Sequence, residues 1–357
     1  ALSLPDWHSL TEHQHQTMES NWHIINVDLD GDAWQQLLDA EPHSIFDTAT
    51  WGRVLADGLG AEPAGWVVQQ GTNPVCGLAG FTKRSLWARL FFANIPYGGL
   101  VGEVPDALPL ASLFAVHAKT AGLTRVRLTD YPGRPLPADG FHCHDSSTHV
   151  LELGGRTWDE LWQGFKRNIR RDIRIAEKKG VTAVWCSDED GYRAFYQLYL
   201  DSMRRNSAIP KYGWAFIDAL RRHIGDGGHG GLFLAMKDDR AVAGVMVVDS
   251  ADTSFYLMGG STSADLKYCP NDLLIGEAIK RAASIGKSRF DFLPSGPGDT
   301  ALMQFKAKWG TREVPVHTLD LTAQPLRLAL WQAAYRIAGS AAVRPILQAW
   351  QTHRSNS

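Results

Sequence analysis

The sequence predicts an α/β (α+β) fold built from two successive units of similar organisation. Three observations support this prediction. Helices and strands follow one another in an order that occurs twice, and a Pro-, Gly- and His-rich stretch separates the two runs. The 357 residues also exceed the roughly 100–200 residues of one average domain. The halves share little sequence, so the predicted duplication rests on the order of elements alone.

The first unit is predicted to span residues 21–145, after a polar, His- and Gln-rich lead. Apolar residues at helical or alternating spacing, separated by turn residues such as those from Gly71 to Pro74, predict its elements. The predicted strands are 22–27, 66–70, 75–82, 90–95 and 125–128. The predicted helices are 46–59 and 107–121.

A connection from Tyr131 to Asp145 leads into the second unit, which is predicted to span residues 146–320. The same order of elements returns there. The predicted helices are 157–179, 190–206, 214–224 and 272–284. The predicted strands are 181–186, 232–237, 241–249, 253–259 and 288–292.

A helical tail is predicted within residues 321–357, over 325–339 and 341–351. It contains four arginines and no acidic residue. Its apolar positions Leu328, Trp331, Tyr335 and Leu347 predict that the tail packs back onto the first unit. The alternative is a helix on a membrane surface, because basic amphipathic helices also favour anionic lipid.

Composition excludes several function classes. Lys and Arg number 36 against 38 Asp and Glu, so nucleic-acid binding would require a local basic patch. No apolar run reaches the roughly 18 residues of a membrane span, and the first residues lack a signal-peptide pattern. Four widely spaced cysteines favour reduced thiols and a cytoplasmic location. His142, Cys143 and His144 are too closely spaced to be two ligands of one tetrahedral site, so no metal is expected.

One predicted helix carries a strongly basic face. Leu161, Phe165, Ile169, Ile173 and Ala176 recur every three or four residues and predict a buried stripe. The segment from Lys166 to Lys179 contains seven basic and two acidic residues, which gives it a net charge of +5. This face is either simply solvated or binds a phosphate-rich partner such as tRNA, a nucleotide-linked substrate or coenzyme A (CoA). The candidate polyanion-binding residues are Lys166, Arg167, Arg170, Arg171 and Arg174.

Two glycine-containing segments are candidate anion sites. Gly296 to Asp299 precede a short predicted helix, on which Lys306 lies beside packed Phe305 and ahead of a stop at Gly310. Arg222 to Gly227 match the R-x-x-G-x-G pyrophosphate loop of acetyl-CoA-dependent N-acetyltransferases. That loop should open a helix after a strand, whereas here it closes a helix and precedes strands. We therefore expect no CoA pyrophosphate there.

Several motifs resemble the Fem family of aminoacyl-tRNA-dependent peptidoglycan bridge transferases (FemA, FemB and FemX), in the same order. They cover most of residues 90–312. The motifs are IPYGG from Ile95, FKRNIRRDIRIA from Phe165, YLMGGS from Tyr256, PNDLLI from Pro270, FDF from Phe290 and QFKAKWG from Gln304. The resemblance implies two tandem GNAT-like domains. The long helical hairpin of larger members is absent from the sequence, which favours the compact FemX type.

The resemblance also implies a reaction. An amine of a cell-wall precursor would attack the acyl group of an aminoacyl-tRNA, with no cofactor beyond the donor. Lys306 matches the family's closing lysine and is the predicted catalytic residue. Predicted substrate contacts are Tyr97, Arg204, Arg205, Tyr212, Tyr256, Gly259, Gly260 and Asn271.

Two alternatives remain open at this stage. One is an acyl-CoA-dependent N-acyltransferase, and the other is a non-catalytic binding module in envelope biogenesis. The protein is expected to be a monomer, with peripheral membrane contact through the tail as an option. The amino acid or acyl group and the acceptor do not follow from the sequence.

Overall fold

A single mixed β-sheet runs through both halves of the chain in the computed structural model, which describes residues 22–106, 108–296 and 298–338. Within these residues, twelve strands follow one another in the order β1-β2-β3-β4-β6-β13-β7-β12-β11-β10-β9-β8, and β5 pairs with β3. The strands are β1 Trp22–Val27, β2 Glu62–Gln70, β3 Asn73–Ser85, β4 Ala88–Ala93, β5 Val101–Gly102, β6 Arg125–Thr129, β7 His142–Glu152, β8 Thr182–Cys186, β9 Gly230–Lys237, β10 Arg240–Asp249, β11 Thr253–Ser261, β12 Arg289–Asp291 and β13 Arg312–Thr322.

Helices cover the sheet and carry most of the side chains discussed below. The α-helices are α1 Asp32–Ala40, α2 Ala49–Leu59, α3 Leu110–Thr120, α4 Trp158–Gly164, α5 Arg167–Lys178, α6 Glu189–Arg205, α7 Trp214–Leu220, α8 Pro270–Ser284, α9 Thr300–Lys306 and α10 Pro325–Ala338. Within the part of the chain just described, none of them has the length and hydropathy that crossing a bilayer requires.

Strands β7 and β13 join the two halves of the sheet. β13 pairs antiparallel with β6 on one side and with β7 on the other. The predicted boundary at 145/146 therefore falls inside β7. The interpretation of residues 131–145 as a connection is wrong from His142 onward, because that residue already pairs with Asp320.

Three local predictions need correction. The helix predicted over 157–179 is broken between α4 and α5, because Phe165 and Lys166 have extended ψ angles and the Lys166 N–H donates to the Lys308 carbonyl (2.9 Å). The sequence reading also missed α1 and β13. The stripe predicted for the basic helix is confirmed, since all five of its apolar residues are buried.

An aromatic cluster packs the first half against the second. Phe46 lies 4.8 Å from Phe255 between ring centroids, and 4.9 Å from Trp51. Tyr97 and Phe216 belong to the same buried cluster. Burial on this scale fixes the two halves relative to each other.

The described part of the tail packs on the first half, as predicted. Leu328 is buried, and the Trp331 indole donates to the Ser85 hydroxyl (3.0 Å). Tyr335 was expected on the buried face but is exposed, because it only stacks on the outer side of Trp331. Leu347 lies outside the described residues.

Candidate active site

A gap between two parallel strands forms the candidate active site. β11 and β12 pair only from Thr253 and Arg289 to Phe255 and Asp291, whereas β11 continues to Ser261. Beyond the last pair the strands separate, and a cavity of about 620 Å³ opens between them. Trp51, Ile95 and Pro96 of the first half also line it, so both halves of the chain build the site.

A bulge in β11 lies at the mouth of this gap. Opposite β10, Met246 pairs with Met258 and Val247 pairs with Tyr256, so Leu257 is the extra residue. A bulged residue leaves the hydrogen-bond ladder, and β12 has already diverged at this level. The backbone N–H of Leu257 is therefore a candidate donor for a bound ligand.

Lys306 lies in the wall of the cavity and is almost completely buried, with 3% of its surface exposed. Its ammonium group donates to the Leu293 carbonyl (2.6 Å). Burial lowers the pKa of Lys306 to about 8, and the carboxylates of Asp291 and Asp299 oppose that shift. This cation is available to a ligand in a water-poor setting, where its charge has its largest effect.

Asp291 supports Lys306 from behind. Its carboxyl accepts hydrogen bonds from the Thr148 hydroxyl (2.6 Å), the Leu293 N–H (2.7 Å) and the Tyr97 hydroxyl (3.0 Å). Complete burial raises the pKa of Asp291, although these three donors oppose the increase. Sequence reasoning had quoted Asp291 as part of a motif without giving it a role; a lone carboxylate between two phenylalanines was the available signal.

Tyr97 is a supporting residue, contrary to its predicted substrate contact. Its side chain is fully buried and its hydroxyl is used by Asp291. The cis peptide between Ile95 and Pro96 precedes it in the same loop, and Ile95 and Pro96 are the members of this motif that reach the cavity.

Two predicted tyrosines do line the cavity, Tyr212 and Tyr256. Burial raises the pKa of Tyr256 to about 12, so its hydroxyl stays protonated at neutral pH. A side chain at Gly259 would lie 2.3 Å from that hydroxyl, so this glycine makes room for Tyr256. Ser295, which the sequence reading missed, adds a buried hydroxyl without a partner among the described residues.

The opposite wall carries exposed polar groups. It includes His144, Asp145 and Lys211. The His144 imidazole lies 3.3 Å from the Asp320 carboxylate.

Six of the eight predicted contacts are not among the residues that line this cavity: Tyr97 and Gly259, described above, and the following four. Arg204 is exposed and pairs with Asp201. Arg205 donates to the Ser261 carbonyl (2.8 Å), and Asn271 donates to the Ser261 hydroxyl (3.2 Å). A side chain at Gly260 would lie 2.5 Å from the Tyr199 nitrogen. The lack of a side chain at Gly260 therefore allows helix α6 to pack close to β11. All four of these residues contact other parts of the protein.

The N-terminus of α8 is acidic. Asp172, Cys269 and Asp272 place ligand atoms within 4.8 Å of one another. Burial, together with the neighbouring charge of Asp172, raises the pKa of Asp272 to about 6. Helix N-termini otherwise attract anions, and these carboxylates oppose that attraction.

The R-x-x-G-x-G string lies where the sequence predicted. Arg221–Gly225 form a π-helical turn that ends α7 and precedes β9. The Arg222 guanidinium is paired with Asp57 (2.8 Å) and Asp218 (3.0 Å). Its charge is therefore already neutralised by protein carboxylates.

The basic face of α5 forms an open groove of about 480 Å³, lined by Arg167, Arg170, Arg171, Arg174 and Lys178. Arg174 stacks over the Trp162 ring, 5.4 Å from its centroid. The hydrogen bond from Lys166 to the Lys308 carbonyl ties the start of α5 to the segment that follows Lys306. A backbone hydrogen bond therefore links the helix of the groove to the segment next to Lys306.

Comparison with known proteins identifies the fold. Residues 163–307 match the family model described as an acetyltransferase (GNAT) domain. The crystal structure of FemX aligns with 86% of this chain and 100% of its own, with a TM-score of 0.67 and 15% identity. The chain has a tandem GNAT fold, similar to that of FemX. None of the curated protein sequences matches it.

Two other solved structures share this fold. A tandem GNAT protein from the clavulanic acid biosynthesis pathway aligns with 84% of this chain and 98% of its own (TM-score 0.57, 12% identity). The C-terminal domain of a putative lysylphosphatidylglycerol synthetase from Agrobacterium fabrum aligns with 81% of this chain and 92% of its own (TM-score 0.55, 14% identity). The GNAT match contains β11, β12 and Lys306, and hence the core of the cavity.

Proposed function

We propose that this protein is an acyltransferase that moves an aminoacyl group from aminoacyl-tRNA to an amine of a cell-wall precursor. The observation that carries the proposal is the cavity between β11 and β12, which has a buried lysine in its wall. A site for acyl transfer needs room for a carbonyl, donors for the oxyanion and a path for an amine. The cavity has room for such a group, and its lining includes the buried Lys306 and exposed polar residues, which supports the proposal.

In the proposed reaction, the neutral amine forms a bond to the carbonyl carbon of the aminoacyl ester. Negative charge grows on the carbonyl oxygen, where the Lys306 ammonium and the Leu257 N–H would stabilise it. The bond to the ribose oxygen then breaks, and that oxygen leaves with a proton. Tyr256, which is protonated at neutral pH, is the proposed donor of this proton.

The amine must lose a proton as the new bond forms. The groups on the exposed wall, His144 and Asp145, are the proposed acceptors. The Ser295 hydroxyl would orient the acyl group by a hydrogen bond. No serine or cysteine nucleophile is needed, since the amine attacks the ester directly.

Charge distribution favours aminoacyl-tRNA over acyl-CoA as the donor. The acidic N-terminus of α8 would repel a pyrophosphate, and Arg222 is already paired with carboxylates. The groove on α5 instead concentrates five basic side chains, of which Arg171 is paired with Asp172 (2.8 Å), and a polyanion would meet this net positive charge. The tie between α5 and the Lys306 segment would couple tRNA binding to the site.

Incubation with radiolabelled aminoacyl-tRNA or acetyl-CoA, each with precursor amines, tests the proposal. We expect label to transfer from aminoacyl-tRNA and not from acetyl-CoA. Transfer from acetyl-CoA alone would establish the acyl-CoA-dependent alternative. No transfer from either donor, with precursor still bound, would favour a binding module.

A further inference from the structure

We infer that the face formed by the β3–β4 turn and helix α10 docks on an anionic membrane surface. This inference does not depend on the proposed function. It starts from large apolar side chains that the fold leaves exposed. Leu86 and Trp87 form the tip of the β3–β4 hairpin, with 69% and 49% of their surfaces exposed.

Helix α10 lies beside this hairpin and presents a second apolar stripe. It starts where the Gln324 N–H donates to the Thr124 carbonyl (3.2 Å), and Trp331 then reaches Ser85 next to the turn. Leu326 and Leu330 are exposed and lie one turn apart on the same side. Because each residue turns the helix by about 100°, this side lies roughly opposite buried Leu328. The helix therefore packs on the sheet with one face and offers another apolar face to the outside.

The charged groups around these apolar side chains are mostly basic, and the acidic group at the base of the hairpin, Glu62, is paired with Arg89 (3.5 Å). The sequence contains no acidic residue between Glu62 and Glu103 and none after Asp320. Lys83 and Arg84 precede the hairpin tip and are exposed. Arg84 lies opposite Arg89 across the strands, and Glu62 partners only Arg89 of these two.

Cations around exposed Leu and Trp side chains match the interface of an anionic bilayer. Trp is favoured at the headgroup level, and basic residues close to an anionic membrane surface are attracted to it. A symmetric dimer through the same face would instead oppose Lys83, Arg84 and Arg327 of one copy to those of the other. Charge complementarity thus selects lipid over a second copy.

Co-sedimentation of the full chain with vesicles tests this inference. We expect binding to vesicles that contain phosphatidylglycerol, weaker binding at high salt, and little binding to phosphatidylcholine alone. The double variant Leu326→Ser and Leu330→Ser should bind about tenfold more weakly or worse, and Trp87→Ser should also bind more weakly. Ile285→Ser is the control, because Ile285 is an exposed apolar residue (45%, against 49% for Trp87) that follows the end of α8 and lies outside this face.

Several outcomes would overturn the inference. Wild-type protein that does not bind anionic vesicles is one. Unchanged binding by both folded variants, with loss of binding in an α5 variant, would assign any lipid contact to the basic groove. A wild-type dimer that the double variant converts to a monomer would make this face a self-interface. Circular dichroism melting curves establish that the variants fold, and Trp87→Ser gives a second test if the helix variant does not.

Discussion

Removing the Lys306 charge while keeping its stem, as in Lys306→Met, tests the proposed site most directly. If the ammonium stabilises the oxyanion, turnover should fall about 10²- to 10³-fold, or roughly 3–4 kcal/mol of transition-state stabilisation. Lys308→Met is the matched control, since Lys308 does not line the cavity. It should retain near wild-type activity. Equal turnover of the two variants would refute the assignment of Lys306.

The pH dependence of the free energy of unfolding tests the burial of the Lys306 charge independently of turnover. The pKa of Lys306 falls from 10.5 to about 8 on folding, so the unfolded chain binds more protons between these values. Stability should therefore rise with pH across that window, by about 2 to 3 kcal/mol between roughly pH 7 and pH 10. Lys306→Met should lack this rise. Chemical denaturation of both proteins at each pH measures the difference, and parallel pH profiles would show that the charge is not buried.

The pH dependence of turnover separates a cation from a base at this position. A stabilising cation is lost as pH rises through about 8, so wild-type activity should decline above that value. A general base would instead become active there. Lys306→Arg stays charged at all accessible pH and should lack the decline. A wild-type rate that continues to rise through this range would contradict the electrostatic role.

Three further outcomes are expected. Replacing the three groove residues Arg170, Arg171 and Arg174 by glutamine should weaken tRNA binding and make its salt dependence shallower. Filter-binding assays measure both quantities. Unchanged binding would mean that this face is only solvated. Arg222→Gln should leave turnover unchanged with any donor, whereas a selective loss with acetyl-CoA would show that the R-x-x-G-x-G string binds its pyrophosphate. Tyr97→Phe removes a hydrogen bond that lowers the pKa of Asp291, so the negative charge that favours the Lys306 ammonium should weaken. The alkaline decline of turnover should therefore move to lower pH. An unchanged decline would show that Tyr97 does not influence Lys306.

Local patterns predicted much of the fold. The strand Trp22–Val27 has the predicted bounds, and the apolar stripe of α5 is buried as its spacing requires. Strand β13 was not predicted, because Pro315 interrupts its alternating apolar pattern and its partner strands β6 and β7 lie far away in the sequence. The break before α5 depends on the hydrogen bond from the Lys166 N–H to the Lys308 carbonyl. Lys308 is too distant in the sequence for a local pattern to reveal this contact.

The candidate site was predictable only in part for the same reason. Lys306 followed from a family motif; the structure places it in the cavity wall, and its catalytic role stays a prediction. The roles of Tyr97, Gly260 and Arg205 could not be read from their motifs. Each depends on what lies opposite in space: a carboxyl, a helix backbone and a strand end. The bulge at Leu257 depends on pairing with β10 and leaves no mark in composition.

The first half of the chain is needed to hold the lysine of the second. Tyr97 donates to Asp291, Asp291 accepts the N–H of Leu293, and the carbonyl of Leu293 accepts the Lys306 ammonium. Each link is buried, so breaking one leaves a polar group unsatisfied at a cost of about 1–3 kcal/mol. The carboxyl behind Lys306 is thus held by a tyrosine 194 residues earlier than Asp291 in the chain. A GNAT unit comprising residues 163–307 alone would keep Lys306, Leu293 and Asp291 but lose the Tyr97 and Thr148 hydroxyls that donate to Asp291, which gives a physical reason for the two halves to share one continuous sheet.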